Sequence, residues 1–279
     1  MELKSEKEKK NMHNCLITRK YQAPSTLKVH FSKKNYTLRR SFVAMSSTAE
    51  EGSKTAQCKQ LWNEYDNKWH NYWTNGVAPG VFWDKCESPP SLRNYVTENI
   101  ESIKGKRVLV PGCGRGYDVA TFAAAGAGRS LGLDLSTVAV ETANAYVSET
   151  LTKANMPNGG EGVALVKEAN FFTFEDPEGP FDIGFDYTFF CAMHPSMRHE
   201  WATSWARVLR PGSKLLALEY PMDPSADVNA GPPFPVTPAL YRQYLEPVGF
   251  ECVSETPLKE GESHPTREGK ELFAVYVRK

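Results

Sequence analysis

Three glycines at alternate positions, Gly112, Gly114 and Gly116, follow directly on the apolar run Arg107–Pro111 and precede a helical pattern over Asp118–Ala125. A buried strand ending in such a run has to turn sharply, and glycine allows both the turn and close approach of a ligand to the backbone. In an open parallel sheet that turn lies beyond the carboxyl ends of the strands, where ligands bind. Spacing narrows the ligand. Gly-x-Gly-x-Gly departs from the Gly-x-Gly-x-x-Gly dinucleotide fingerprint, and the Gly-Lys-Ser/Thr of a Walker loop is absent. Asp134 closes the next apolar run, Leu131-Gly-Leu-Asp134, where a carboxylate can accept hydrogen bonds from both hydroxyls of a ribose.

The glycine pattern with an acid at the end of the second strand is the usual arrangement of S-adenosylmethionine-dependent methyltransferases. A nicotinamide or flavin enzyme and a structural turn remain the alternatives. Alternation of strand and helix continues along the chain. Strands are expected at Arg107–Pro111, Ser130–Asp134, Val163–Lys167, Phe181–Asp186, Lys214–Glu219, Glu251–Leu258 and Glu271–Arg278. Helices are expected at Leu92–Ile103, Asp118–Ala125, Thr137 to about Ala154 with Ser136 as N-cap, Ser196–Leu209 ended by Pro211-Gly212, and Leu240–Val248. The proline-rich residues 221–238 read as a long ordered loop. Such alternation predicts an α/β fold with helices on both faces of the sheet, and together with the glycine–acid arrangement it resembles the Rossmann-like class I methyltransferase sandwich. Its sheet is seven-stranded and mostly parallel, and the last two strands form an antiparallel C-terminal edge.

Ahead of this body, Gln60–Asp84 is rich in aromatics, and Trp62, Tyr65, Trp69 and Trp73 share one helical face. Residues 1–48 carry eleven Lys/Arg against three acids in a chain whose net charge is zero. The expected organisation is a disordered basic leader over 1–55 and one methyltransferase domain over 56–279, with an aromatic cap at 56–100. The basic residues sit in a tail without interleaved aromatics, so nucleic acid is not the expected partner. No stretch approaches the roughly 18 uninterrupted apolar residues of a membrane helix. The six cysteines are scattered, with no Cys-x-x-Cys and no Cys/His spacing for zinc. No metal is expected, and a reducing, cytoplasmic compartment suits them.

Three further segments are specific. Phe181-Asp-Ile-Gly-Phe-Asp186-Tyr187-Thr-Phe-Phe-Cys191-Ala-Met-His-Pro195-Ser-Met-Arg198 strongly resembles the thiol and halide methyltransferases of plants and fungi, within the thiopurine-methyltransferase-like group. Trp69-x-x-x-Trp73-x-x-Gly76, continuing to Pro79 and Trp83-Asp84, is similar to that family's N-terminal cap. Tyr220-Pro221 with Gly231-Pro-Pro-Phe-Pro-Val236 resembles its substrate-side loop, and Pro265-Thr-Arg-x-Gly-Lys270-Glu its final turn. The resemblance spans roughly residues 60–279 and implies S-adenosylmethionine as cofactor. It places cofactor contacts at Trp69, Trp73, Trp83, Gly112, Gly114, Asp134, Asn170, Phe171 and Tyr187. Two departures stand out: Asn170 replaces an acid, and about three extra residues separate Pro79 from Trp83. An asparagine oxygen can still accept a bond from the adenine amino group.

The implied reaction is transfer of a methyl group to a small anion such as a thiolate, hydrosulfide, thiocyanate or halide. Such a nucleophile needs no general base, and alignment alone supplies on the order of 7–11 kcal/mol. Tyr187, Cys191 and Tyr220 are the candidate acceptor-pocket wall. Asp186 either meets the cofactor's amino-acid end or orients its loop, and His194 reads as rim. Cys113 and Cys191 read as packing residues, without a neighbouring base to activate them. Because the thiolate is the reactive form of a thiol, activity on thiols is expected to rise with pH. A monomer is expected. A thiopurine- or metalloid-type small-molecule methyltransferase, and a non-catalytic cofactor-binding scaffold, are the competing readings.

Overall fold

A computed structural model describes residues 68–279. The expected leader, Trp62 and Tyr65 lie outside the described residues. Helix α1 (residues 68–74) opens the described chain. Then come α2 (Pro90–Glu98), α3 (Ile100–Ile103), β1 (Arg107–Pro111), α4 (Tyr117–Ala124), β2 (Arg129–Asp134) and α5 (Thr137–Lys153). The second half is β3 (Ala164–Glu168), β4 (Phe181–Tyr187), α6 (Arg198–Val208), β5 (Leu209–Glu219), α7 (Pro238–Leu245), β6 (Phe250–Pro257) and β7 (Leu272–Arg278).

The seven strands form one sheet in the order β3-β2-β1-β4-β5-β7-β6. The first five are parallel, while β7 runs antiparallel between β5 and β6. The chain starts at the centre and winds outward in both directions, so β1 and β4 are neighbours whose connections leave in opposite senses. Their carboxyl ends are the point where a crevice opens. Val108, Leu109 and Leu131 are fully buried, as strands covered on both faces require. One core packs Trp201, Trp205 and Tyr241 against the sheet, where they meet Tyr276 of β7, and the other packs α2, α4 and α5 through residues such as Leu92, Phe122 and Leu151. Gly184 in β4 makes the first possible, because a Cβ there would lie 2.4 Å from the Trp205 ring.

Four local expectations are corrected. Leu92–Ile103 is not one helix: it breaks at Asn99, whose side chain bonds back to the Tyr95 carbonyl. The Ser136 hydroxyl makes no capping bond, and the Ser136 N–H goes instead to Asp134 Oδ1 at 3.0 Å. Pro211-Gly212 does not terminate the α6 helix, which ends at Val208. It sits inside β5, where the pairing with β4 jumps from Phe181↔Leu209 to Ile183↔Lys214. Proline cannot complete a ladder, so the segment bulges out. Leu240–Val248 is helix only to Leu245 and then a 3₁₀ turn.

Candidate active site

The glycine turn, the ends of β2 and β4, the cap and the loops after β5 and before β7 enclose a cavity of about 450 Å³. That is ample for a nucleoside-sized cofactor with a small second ligand. All eleven residues expected at the site line it, from Trp69 in the cap to Tyr220 after β5.

The cradle starts at the glycines. Gly112 and Gly114 both have positive φ, 60° and 52°. An added Cβ on Gly112 would come within 2.5 Å of the Phe189 ring, and one on Gly114 would touch Trp73 at 3.5 Å. Phe189 reaches that position because Thr188, a β-branched residue at φ 55°, bends the chain directly after β4. Phe189 packs edge-on against Phe171, which packs on Trp205, so the glycine loop and the aromatic wall are built against each other.

Asp134 is buried at the tip of β2. Its Oδ2 accepts the Gly114 N–H at 3.1 Å and its Oδ1 the Ser136 N–H at 3.0 Å. Burial pushes its pKa up to about 6 despite those bonds. The Leu135 N–H also bonds this carboxylate, which leaves about one of its four acceptor positions for a ribose hydroxyl. Asn170 lines the far side, where its Oδ1 already accepts the Phe172 N–H at 2.9 Å, leaving one lone pair for an adenine amino group. Glycines held at positive φ, a cavity-lining carboxylate with acceptor capacity left and an amide beside an aromatic wall fit S-adenosylmethionine.

The cap supplies an aromatic cluster. Trp83 meets Trp69 edge-on at 5.1 Å and Trp73 at 6.4 Å, with Tyr72 and Phe82 closing the rim. Asp84 fastens it. That buried carboxylate accepts bonds from Gly80 N–H at 3.0 Å, Cys86 N–H at 2.8 Å, Arg115 Nε at 2.7 Å and the Tyr117 hydroxyl at 3.1 Å. Arg115, from within the glycine loop, also stacks over Trp73 at 5.3 Å and donates to the Val77 carbonyl. One ion pair thus joins the cap and the glycine loop.

Beside Tyr187 and Tyr220 sits a residue that sequence reading passed over. Arg267 is 3% exposed and lies over the rings of Tyr187 and Tyr220, at 4.9 and 4.4 Å. Its Nη2 donates to the Trp83 carbonyl at 2.9 Å, and Nη1 stands 3.9 Å from Glu271. Nε and Nη1 have no hydrogen-bond partner among the described residues. Around it, Tyr187 donates to Glu271 at 2.8 Å, and His264 stacks on Tyr187. Burial and the cations Arg267, Arg93 and Lys85 hold His264 down at about 4, so the ring is neutral near pH 7. Asp118, also lining the cavity, is raised to about 6 by burial. The only hint of Arg267 was its place in the Pro265-Thr-Arg turn, where an arginine reads as one charge among several exposed ones.

The remaining expectations resolve by geometry. Asp186 does not line the cavity. It accepts from Trp201 Nε1 at 2.7 Å and Phe190 N–H at 3.1 Å, which orients the loop after β4. His194 accepts the Ser196 N–H and lies outside the cavity lining. Cys191 is buried in the wall, and its thiol is pushed up to about 12 by burial, so it is packing and not a nucleophile.

The model of the family described as Thiopurine S-methyltransferase (TPMT) matches residues 65–273. The chain belongs to the thiopurine S-methyltransferase family. Members of that family are S-adenosylmethionine-dependent methyltransferases, and so is this chain. Among curated relatives, Thiocyanate methyltransferase 1 of Brassica oleracea is 38% identical over 75% of this chain and 84% of its own. Probable thiol methyltransferase 2 of Arabidopsis thaliana is 37% identical over 67% of this chain and 74% of its own. Thiopurine S-methyltransferase of Vibrio campbellii is more distant, at 27% over 75% and 94%. Among solved structures, the glycopeptide N-methyltransferase MtfA with bound S-adenosylmethionine superposes with a TM-score of 0.54 at 14% identity, covering 73% of this chain and all of that one. The [4+2]-cyclase SpnF reaches the same TM-score at 16% identity, covering 77% and 94%. These neighbours establish the fold; the family member's chemistry has to come from its own cavity. No helix among the described residues is long and apolar enough to cross a membrane.

Proposed function

We propose that this methyltransferase acts on small, soft anions: thiocyanate, hydrosulfide or a thiolate, with iodide as a halide of the same charge and polarisability. The observation that carries this reading is Arg267, a buried guanidinium whose Nε and Nη1 have no hydrogen-bond partner among the described residues, with Glu271 3.9 Å away and two aromatic rings framing it at the cavity's acceptor end. A desolvated cation between apolar faces favours an anion that sheds its water readily. The names of the plant relatives, thiol and thiocyanate methyltransferases, agree with that choice.

When bound, S-adenosylmethionine supplies a sulfonium methyl group and a neutral thioether as leaving group. Asp134 would hold a ribose hydroxyl, Gly112 and Gly114 would let the backbone approach, and Asn170 and Phe171 would flank the adenine. Trp69, Trp73 and Trp83 would present aromatic faces to the sulfonium, an attraction of roughly 0.5–2 kcal/mol. For Trp73 that attraction is shared with Arg115, which already covers one face. Tyr187, Cys191 and Tyr220 would wall the acceptor against the methyl, with Arg267 fixing its charge. We take residues 56–279 as the single catalytic domain, acting as a cytoplasmic monomer. Thiocyanate kinetics test the reading. Arg267→Met should raise its KM while the affinity for S-adenosylhomocysteine stays within about threefold; an unchanged KM sinks the assignment.

A further inference from the structure

Glu271 is fully buried and lies outside the cavity lining, while Tyr187 lines it. The phenol therefore stands between the cavity and the carboxylate, and its hydroxyl donates to Glu271 Oε1 at 2.8 Å. The second carboxylate oxygen, Oε2, has no hydrogen-bond partner among the described residues. A shielded carboxylate one hydrogen bond behind a cavity-lining hydroxyl is placed to take up a proton through that hydroxyl.

We propose that Glu271, acting through Tyr187, receives the proton that a neutral thiol gives up when its sulfur takes the methyl group. This rests on the small-anion reading above and deepens it. The bonds balance: a sulfur–carbon bond forms on the acceptor as the sulfonium–methyl bond breaks, with its electron pair staying on the departing thioether. The acceptor's S–H proton passes to Tyr187 Oη, and the phenol's own proton passes to Glu271 Oε1. Thiocyanate carries no proton, so its methylation needs no such route. Tyr187 touches the acceptor; Glu271 is the positioning residue behind it.

The groups facing Glu271 agree. Burial pushes the Glu271 carboxyl up, opposed by Ser263, Tyr187 and Arg267. Burial also holds the Tyr187 phenol far above its usual range, so it relays a proton and does not stay ionised. His264, stacked on the Tyr187 ring, is held neutral by burial and the surrounding cations and competes poorly for the proton. Tyr220 shares Arg267 with Tyr187, and Asp118, which also lines the cavity, acts electrostatically on both Arg267 and Tyr187. Electrostatics alone would act in the opposite direction: removing the Glu271 charge beside Arg267 should favour a bound thiolate and speed thiol methylation.

The test is Glu271→Gln, which keeps an acceptor for Tyr187, assayed with thiocyanate and with an aliphatic thiol across pH. The thiol-to-thiocyanate ratio of kcat/KM is expected to fall about a hundredfold below the thiol's own pKa, and to recover as pH approaches it. Wild-type thiol activity should rise with pH but level off well before that pKa. An unchanged or increased ratio in Glu271→Gln overturns the relay alone. Wild-type protein inactive on both acceptors overturns the parent reading and the relay with it. Should Glu271→Gln fail to fold, Tyr187→Phe is read by the same ratio, and a parallel loss on both acceptors refutes the relay.

Discussion

Replacing Asp84 with asparagine should loosen the aromatic cap and weaken cofactor binding from outside the cofactor's own contacts. Asp84 Oδ1 accepts from Gly80 and Cys86, and Oδ2 from Arg115 Nε at 2.7 Å. An amide can serve only one side. If its oxygen faces the two backbone N–H groups, its NH₂ opposes Arg115, donor against donor. One charge-assisted bond to a nearly buried arginine is then lost, worth about 1.5–3 kcal/mol. Arg115 is left without its counter-ion, which brings the total to about 3 kcal/mol, below the 3–5 kcal/mol for breaking a fully buried pair because Arg115 retains some solvent. For a folded unit of this size that lowers Tm by about 6–12 °C. Trp73, which carries Arg115 on one face, and Trp83, the residue before Asp84, should shift with the cap. The assay is thermal unfolding with tryptophan fluorescence, paired with calorimetry of S-adenosylhomocysteine. A Tm within about 2 °C of wild type together with unchanged affinity would refute the idea that this ion pair holds cap and glycine loop together.

Other outcomes follow from single groups. Asp134→Ala should weaken S-adenosylhomocysteine by at least about tenfold by calorimetry, through the lost bond to ribose. With wild-type protein the affinity should decline as pH drops below about 6, where the carboxyl takes up a proton. The pH dependence of stability has a definite sign. Asp118, Asp134 and Asp186 are raised by burial from 3.8 to about 6, so between those values the folded chain holds protons that the unfolded chain has released. Stability of the cofactor-free protein therefore rises as pH falls from about 7 toward 5, and is lost again on the way up. A Tm that drops over that window would contradict it. Arg267→Lys should retain part of the thiocyanate affinity that Arg267→Met removes, because charge survives while the planar fork over Tyr187 and Tyr220 does not.

Strand periodicity, the glycine spacing and the acid at Asp134 were enough to read the sheet, its antiparallel edge and the turn that lines the cavity. The reason is local: each strand is a short apolar run, and the turn and its acid lie within one strand–turn–helix unit and the next strand. What escaped reading depends on distant partners. Arg267 and Glu271 look like charges of an exposed turn, and only the fold brings them beneath Tyr187, 84 residues from Glu271 in sequence. Asp84 reads as the residue after a tryptophan until Arg115 arrives from the glycine loop. The missed boundaries have the same origin. Pro211-Gly212 carries a helix-stop signal, but pairing of Leu209 with Phe181 draws that segment into β5.

The most direct test of the central claim is a headspace assay of purified protein with S-adenosylmethionine and, separately, thiocyanate, iodide, hydrosulfide and an aromatic thiol. Methyl thiocyanate, methyl iodide or methanethiol above an enzyme-free control, with Arg267→Met impaired on each, is the predicted result. Product from the aromatic thiol alone, or no product from any acceptor while calorimetry still shows cofactor binding, would contradict it.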